Sequence, residues 1–100
     1  MKTRYDLKDR LKNGIDPIAF YQHEGQDVKA MGQREWKVGG LCPFHADRNA
    51  GSFFINAKNG AFKCYSCDSS GGDIIDFIKK KYELSFTEAV QKLSNDWRVS

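Results

Sequence analysis

Cys42-Pro43-Phe44-His45 and, after eighteen intervening residues, Cys64-Tyr65-Ser66-Cys67 form the stretch around which the chain is organised. Two pairs, each split by two residues, supply three thiols and one imidazole, the donor set of a closed, tetrahedral structural zinc site. The short spacing lets one tight turn aim both side chains of a pair at the same ion. The eighteen-residue gap is long enough for a strand out and a strand back, which returns the second pair to the first. All three cysteines of the chain belong to this set. Cys42, His45, Cys64 and Cys67 are therefore expected to hold one structural Zn2+.

Other uses of these cysteines fit less well. A redox dithiol normally sits where a strand feeds a helix in a βαβ unit, whereas Cys64 follows the strand-like Ala61-Phe62-Lys63 and Cys67 leads into the loop Asp68-Ser69-Ser70-Gly71-Gly72. That reading also leaves Cys42 and His45 unexplained. An odd number of cysteines and the lack of a signal-peptide pattern argue against a disulfide framework. A redox-sensing zinc switch needs an accessible thiolate of low pKa and ranks behind a structural site.

One hundred residues, 40% of them hydrophobic, predict a single domain over residues 1–100 that buries about 60–70% of its unfolded surface. A core of that size profits from a metal staple, and metal binding then contributes folding free energy. No apolar run approaches the ~18 residues of a membrane span, and no signal-peptide core opens the chain, so a cytoplasmic protein without a membrane partner is expected. Three thiolates and one zinc dication would take the formal charge from +3 to +2, too weak a bias to demand nucleic acid by itself. Distribution says more: Lys29, Arg34, Lys37, Arg48, Lys58 and Lys63 fall in or beside the zinc-bearing centre, while the acids gather towards the two ends.

In chain order, Leu7 and Leu11 lie four apart in a short helix over Tyr5 to Lys12, ended by Asn13-Gly14. Asp16-Pro17 reads as a cap and first-turn proline of a second helix through Tyr21, with His23 just beyond as a surface residue. Val28–Met31 and Glu35–Val38 suggest a hairpin across Gly32-Gln33, with Trp36 and Val38 on one face and Lys37 on the other. In the strand Ser52–Asn56, Phe53 and Ile55 point one way and Phe54 the other. Asn59-Gly60 suggests a type I′ turn, after which Ala61–Cys64 returns antiparallel. Asp73 caps a helix over about 73–82, and Ser85 with Glu88 forms a capping box for one over about 86–97. Lys79-Lys80-Lys81 reads as a solvated helix end. The fold class is thus α+β, a small zinc-ribbon antiparallel sheet with helices flanking it at both ends and packed on one side.

Gly40-Leu41-Cys42-Pro43-Phe44-His45, Ser52-Phe53-Phe54-Ile55, Phe62-Lys63-Cys64-Tyr65-Ser66-Cys67 and Gly71-Gly72-Asp73-Ile74-Ile75-Asp76-Phe77 together resemble the zinc-binding domain of bacterial DnaG-type and phage primases. The likeness runs from about Ile15 to Leu93. It implies Cys42, His45, Cys64 and Cys67 as zinc ligands, Phe53, Ile55 and Phe62 as the core face of the sheet, and Asp73 as the cap after the second knuckle. Two departures stand out. Asn49-Ala50-Gly51-Ser52-Phe53 replaces the family's Thr-Pro-Ser-Phe, and Cys64-Tyr65-Ser66-Cys67-Asp68 replaces Cys-Phe-Gly-Cys-Gly. Both spare the ligands and bear on template preference.

The resemblance implies binding of single-stranded DNA template during primer synthesis in replication, with a primase catalytic domain and a replicative helicase as partners and no small-molecule substrate. The chain has no Asp-x-Asp and no room for a polymerase domain, so catalysis is expected elsewhere. Outward Phe54, Lys63 and Tyr65 would stack bases beside phosphate partners, with Arg34, Lys37, Arg48 and Lys58 tracking the backbone. Beginning at Met1 with helices on both sides of the finger, the chain reads as self-contained and would act with a catalytic partner in trans; a fragment of a longer primase is the alternative. A rival reading is a zinc-ribbon adaptor that docks onto replication proteins without binding DNA.

Overall fold

Short-range chemistry fixes where the helices begin. In the computed structural model, which describes residues 4–29, 34–46 and 51–99, helix α1 (Arg4–Gly14) is followed by α2 (Pro17–His23). Asp16 caps α2, its Oδ2 accepting the Ala19 N–H at 3.0 Å, and Pro17 occupies the first turn where no N–H is needed. Asp73 does the same for α3 (Ile74–Tyr82), accepting from Asp76 N at 2.9 Å. Ser85 and Glu88 close both bonds of a capping box on α4 (Phe86–Trp97).

The sheet is antiparallel with strand order β1-β2-β3-β4, built from β1 (Trp36–Val38), β2 (Phe53–Asn56), β3 (Phe62–Cys64) and β4 (Ser70–Gly71). The α+β class and the antiparallel zinc-ribbon sheet expected from the sequence are what the structure contains. One pairing was not anticipated. Residues 30–33, including the Gly32-Gln33 turn, lie outside the described residues, and β1 pairs along β2, Trp36 opposite Asn56 and Val38 opposite Phe54. The Lys29 N–H still reaches the Val38 carbonyl at 2.9 Å. The pair Ser70–Gly71, read as loop, adds a two-residue fourth strand against β3.

The β2–β3 turn also departs from the type I′ expectation. Gly60 alone takes a left-handed φ of +79°, and Asn59 is not among the residues of positive φ. The buried Asn56 organises the turn instead: its Oδ1 accepts the N–H groups of Lys58 (2.9 Å) and Asn59 (3.0 Å), and its carbonyl accepts Gly60 N at 2.9 Å. A side-chain acceptor that caps the turn from within removes the need for two left-handed residues.

Register places Phe53, Ile55, Phe62 and Cys64 on one face, all fully buried, and α2 and α3 cover it. Phe77 of α3 meets Tyr21, Phe44 and Phe62 edge-on, with ring centroids 4.8, 5.4 and 5.5 Å apart. Such pairs contribute about 0.5–1.5 kcal/mol each beyond the area they bury. Leu11 from the first helix, Ile15 just beyond it, and Ala89, Val90 and Leu93 from the last helix add to the core. Lys81 is not a solvated helix end: its Nζ donates to the Glu24 carbonyl at 2.9 Å and pairs with the same residue's carboxylate at 3.1 Å, fastening α3 to the end of α2. Among the described residues no helix is long and apolar enough to cross a membrane.

Candidate zinc centre and the adjoining sheet face

Two turns at one end of the sheet deliver the four donors. Leaving β1, the chain reverses at Gly40, whose φ of +79° suits glycine and where a Cβ would lie 2.7 Å from the Asp27 nitrogen. Cys42 to His45 follow. The second pair begins at the last residue of β3, Cys64, whose N–H donates to the Ser69 carbonyl at 2.8 Å as the chain turns back into β4. That return passes through Asp68 at φ +58°. This is the position where the family pattern has glycine, and aspartate is among the few residues that accept the left-handed conformation.

The donor atoms of Cys42, His45, Cys64 and Cys67 all lie within 4.8 Å of one another. Cys42 Sγ and Cys67 Sγ are 3.8 Å apart, and Cys64 Sγ and His45 Nε2 are 3.6 Å apart. A tetrahedron with Zn–S near 2.3 Å and Zn–N near 2.05 Å requires edges of about 3.8 and about 3.6 Å. The sulfur separation is far too long for a disulfide, which needs about 2.05 Å. The set therefore fits one structural Zn2+ and leaves no open coordination position.

Environment differs across the site. Burial pushes the Cys42 thiol up to about 12, whereas the Ser69 hydroxyl draws the exposed Cys67 down to about 7. Ser69 Oγ lies 3.1 Å from Cys67 Sγ and donates to the sulfur once it is a thiolate. A dication replaces both protons, since a coordinating thiol is deprotonated outright. Ser69, itself buried, is thus an outer support of the site that the spacing of cysteines does not reveal.

Directly opposed residues of antiparallel strands share a face. Val38, Phe54, Lys63 and Ser70 therefore form one row on the side of the sheet away from α2 and α3. Tyr65, 70% exposed, continues that row at the zinc end, its ring edge-on to Phe54 at 5.6 Å. Lys63 Nζ stands 5.7 Å from the Tyr65 ring centre and 3.6 Å from Asp68 Oδ1. Arg34 and Lys58 are exposed at the opposite end, where Ala57 N donates to the Glu35 carbonyl at 2.7 Å. Lys37 stands apart: it opposes Ile55 and so belongs to the other face. Arg48 lies outside the described residues. Half-buried Trp36, two residues before Val38, adds an aromatic to the same face as Phe54. Its alternation with Val38 was visible in the sequence, but the pairing of β1 with β2 was not. His23 ends α2 outside the cluster of metal donors, against the Trp97 ring at 5.2 Å.

The profile of the CHC2 zinc finger family matches residues 6–100. The chain is 41% identical over 92 residues to the DNA primase of Helicobacter pylori, an alignment covering 92% of this chain and 15% of that protein. It is likewise 41% identical over 83 residues to the DNA primase of Borreliella burgdorferi, covering 83% of this chain and 15% of the relative. The DNA primase of Mycobacterium leprae is 45% identical over 56 residues, 56% of this chain and 8% of the relative. The chain therefore spans only 8–15% of the length of these curated relatives. The crystal structure of the Aquifex aeolicus primase, comprising zinc-binding and RNA polymerase domains, superposes with a TM-score of 0.75 at 26% identity, over 100% of this chain and 23% of that one.

Proposed function

This chain belongs to the CHC2 zinc finger family, the zinc-binding domain of DnaG-type primases, and we propose that it binds single-stranded DNA template for primer synthesis without a catalytic centre of its own. The observation that carries this reading is the sheet face away from the helices, where Phe54, Lys63 and Tyr65 stand side by side next to the zinc donors. An exposed aromatic offers a stacking surface to any base, and a neighbouring ammonium offers a phosphate partner. Tyr65 at the zinc end and Arg34 and Lys58 at the hairpin end bracket a path along a strand of four residues, about 13 Å at the usual rise. Lys37, on the other face, has no part in that path.

Cys42, His45, Cys64 and Cys67 are the residues proposed to hold the zinc. The ion supplies a rigid fixed point rather than a reacting centre, because four protein donors close its coordination shell. The chain's own residues then present the face: Cys64 ends the strand that carries Lys63, and Tyr65 follows it directly. In this reading the primase catalytic domain supplies the chemistry, a replicative helicase delivers the template, and the setting is cytoplasmic.

Fluorescence anisotropy of a labelled single-stranded DNA with zinc-loaded protein, across a salt series, tests the proposal. Tyr65→Ala and Phe54→Ala are each expected to cost about 1–3 kcal/mol of binding. Lys63→Ala is expected to flatten the salt dependence by about 0.7 in log–log slope, one phosphate contact on a single strand. Absence of binding at low salt by folded, zinc-loaded protein refutes the reading and leaves the adaptor, which predicts binding to replication proteins that tolerates salt and loss of Lys63.

A further inference from the structure

Gln26 is a buried polar side chain distant in sequence from the four donors, yet bonded to the backbone that delivers one of them. It lies just beyond α2, with its N–H donating to the Tyr21 carbonyl at 2.9 Å, and only 8% of it is exposed. Its Nε2 donates to the Gly39 carbonyl at 2.7 Å and to the Leu41 carbonyl at 2.6 Å. These carbonyls flank the left-handed Gly40, and Cys42 is the next residue on.

An amide nitrogen carries two hydrogens, so two carbonyls converging on it consume both and hold the turn at two points. Gly39 is itself buried, so water does not readily replace the amide at its carbonyl, whereas the Leu41 carbonyl, on a residue 47% exposed, is open to water. Without it the turn must rotate to find donors, because buried carbonyls are seldom left unpaired. Cys42 would be carried with it. We propose that Gln26 is a positioning residue for the zinc centre, locking the Gly39–Leu41 turn so that Cys42 Sγ stands at its corner of the tetrahedron before the metal arrives. Through the Tyr21 carbonyl the lock also ties the first knuckle to α2, whose Phe20 and Tyr21 sit in the core. The proposal rests on the zinc centre and is independent of nucleic-acid binding.

The test is Gln26→Met, which keeps the volume and removes both donors. Zinc affinity is measured by competition with a chelator, and ligand geometry by the visible spectrum of the protein saturated with Co2+. Outer-shell partners of metal ligands are worth about 10–100-fold in metal affinity, and a loss in that range is expected together with an altered cobalt spectrum. Tyr21→Phe, which removes a core hydrogen bond without touching the turn, is the comparison and should keep the wild-type spectrum. Wild-type zinc affinity in Gln26→Met overturns the proposal. So does a loss of affinity with an unchanged saturated spectrum, which would make Gln26 a support of the fold alone. Should the methionine variant fail to fold, Gln26→Asn is read in the same way, its amide being one methylene too short to reach both carbonyls.

Discussion

Replacing Tyr21 by phenylalanine isolates one long-range bond between α2 and the β2–β3 turn. The Tyr21 hydroxyl donates to the Gly60 carbonyl at 2.7 Å across 39 residues of sequence, and the side chain is fully buried. It joins α2 to the turn that sets the β2–β3 register, and so to the strands carrying Phe54 and Lys63. The ring survives the substitution and leaves no large cavity, so the effect is that of the hydroxyl. Gly60 is buried too, and its carbonyl would be left without its donor, a loss of about 1–3 kcal/mol. Taking the middle of that range, about 2 kcal/mol, and about 4–8 °C per kcal/mol for a domain of this size, thermal unfolding should fall by roughly 10 °C. The assay is far-UV circular dichroism with zinc in excess. Tyr82→Phe is the control: its hydroxyl also donates, at 2.8 Å to Glu24 Oε1, but Tyr82 is exposed and Lys81 still satisfies that carboxylate. Its shift should be well under half as large. A change below about 2 °C for Tyr21→Phe would mean that water or a relaxed turn satisfies Gly60, and the argument from an orphaned carbonyl would fail.

Two further outcomes are expected. Stripping zinc with a chelator should open all three cysteines to a thiol reagent, with zinc-loaded protein protected. In the metal-free protein near neutral pH, Cys67 should react before Cys42, because the Ser69 hydroxyl draws the former to about 7 while burial pushes the latter up to about 12; equal rates with and without zinc would contradict the ligand set. Glu88 accepts the Ser85 N–H, and this bond lowers its carboxyl pKa below the ordinary 4.5. A depressed carboxylate adds stability that is fully present above the unfolded value and is lost as pH falls through the folded one. The advantage of wild type over Glu88→Gln in melting temperature should therefore shrink on acidification below about pH 4.5, a difference that subtracts what acid does to the zinc site. A gap independent of pH would show that the charge at the cap is not felt.

Zinc chemistry and capping were legible because they are local. Two residues separate the members of each knuckle, and likewise Asp16 from Ala19, Asp73 from Asp76 and Ser85 from Glu88, and no tertiary partner is needed to recognise them. Alternation likewise gave the buried Phe53, Ile55 and Phe62 against the outward Phe54 and Lys63, because a strand's period of two is a property of the backbone. The type I′ expectation failed at the same short range, where the Asn56 side chain offered the turn an alternative acceptor.

What the tertiary structure alone decided are the partners of groups far apart along the chain. Periodicity says that Trp36 and Val38 share a face but not which strand lies beside them; pairing with β2 is what aligns Val38 with Phe54 and Lys63 and sends Lys37 to the other side. The Gln26 amide on Gly39 and Leu41, the Tyr21 hydroxyl on Gly60 and the Lys81 ammonium on Glu24 span 13 to 57 residues. A polar side chain carries the same bonding capacity wherever it stands in a sequence. Which acceptor it meets is fixed only when the core closes and brings both groups out of water, where leaving either unpaired is costly.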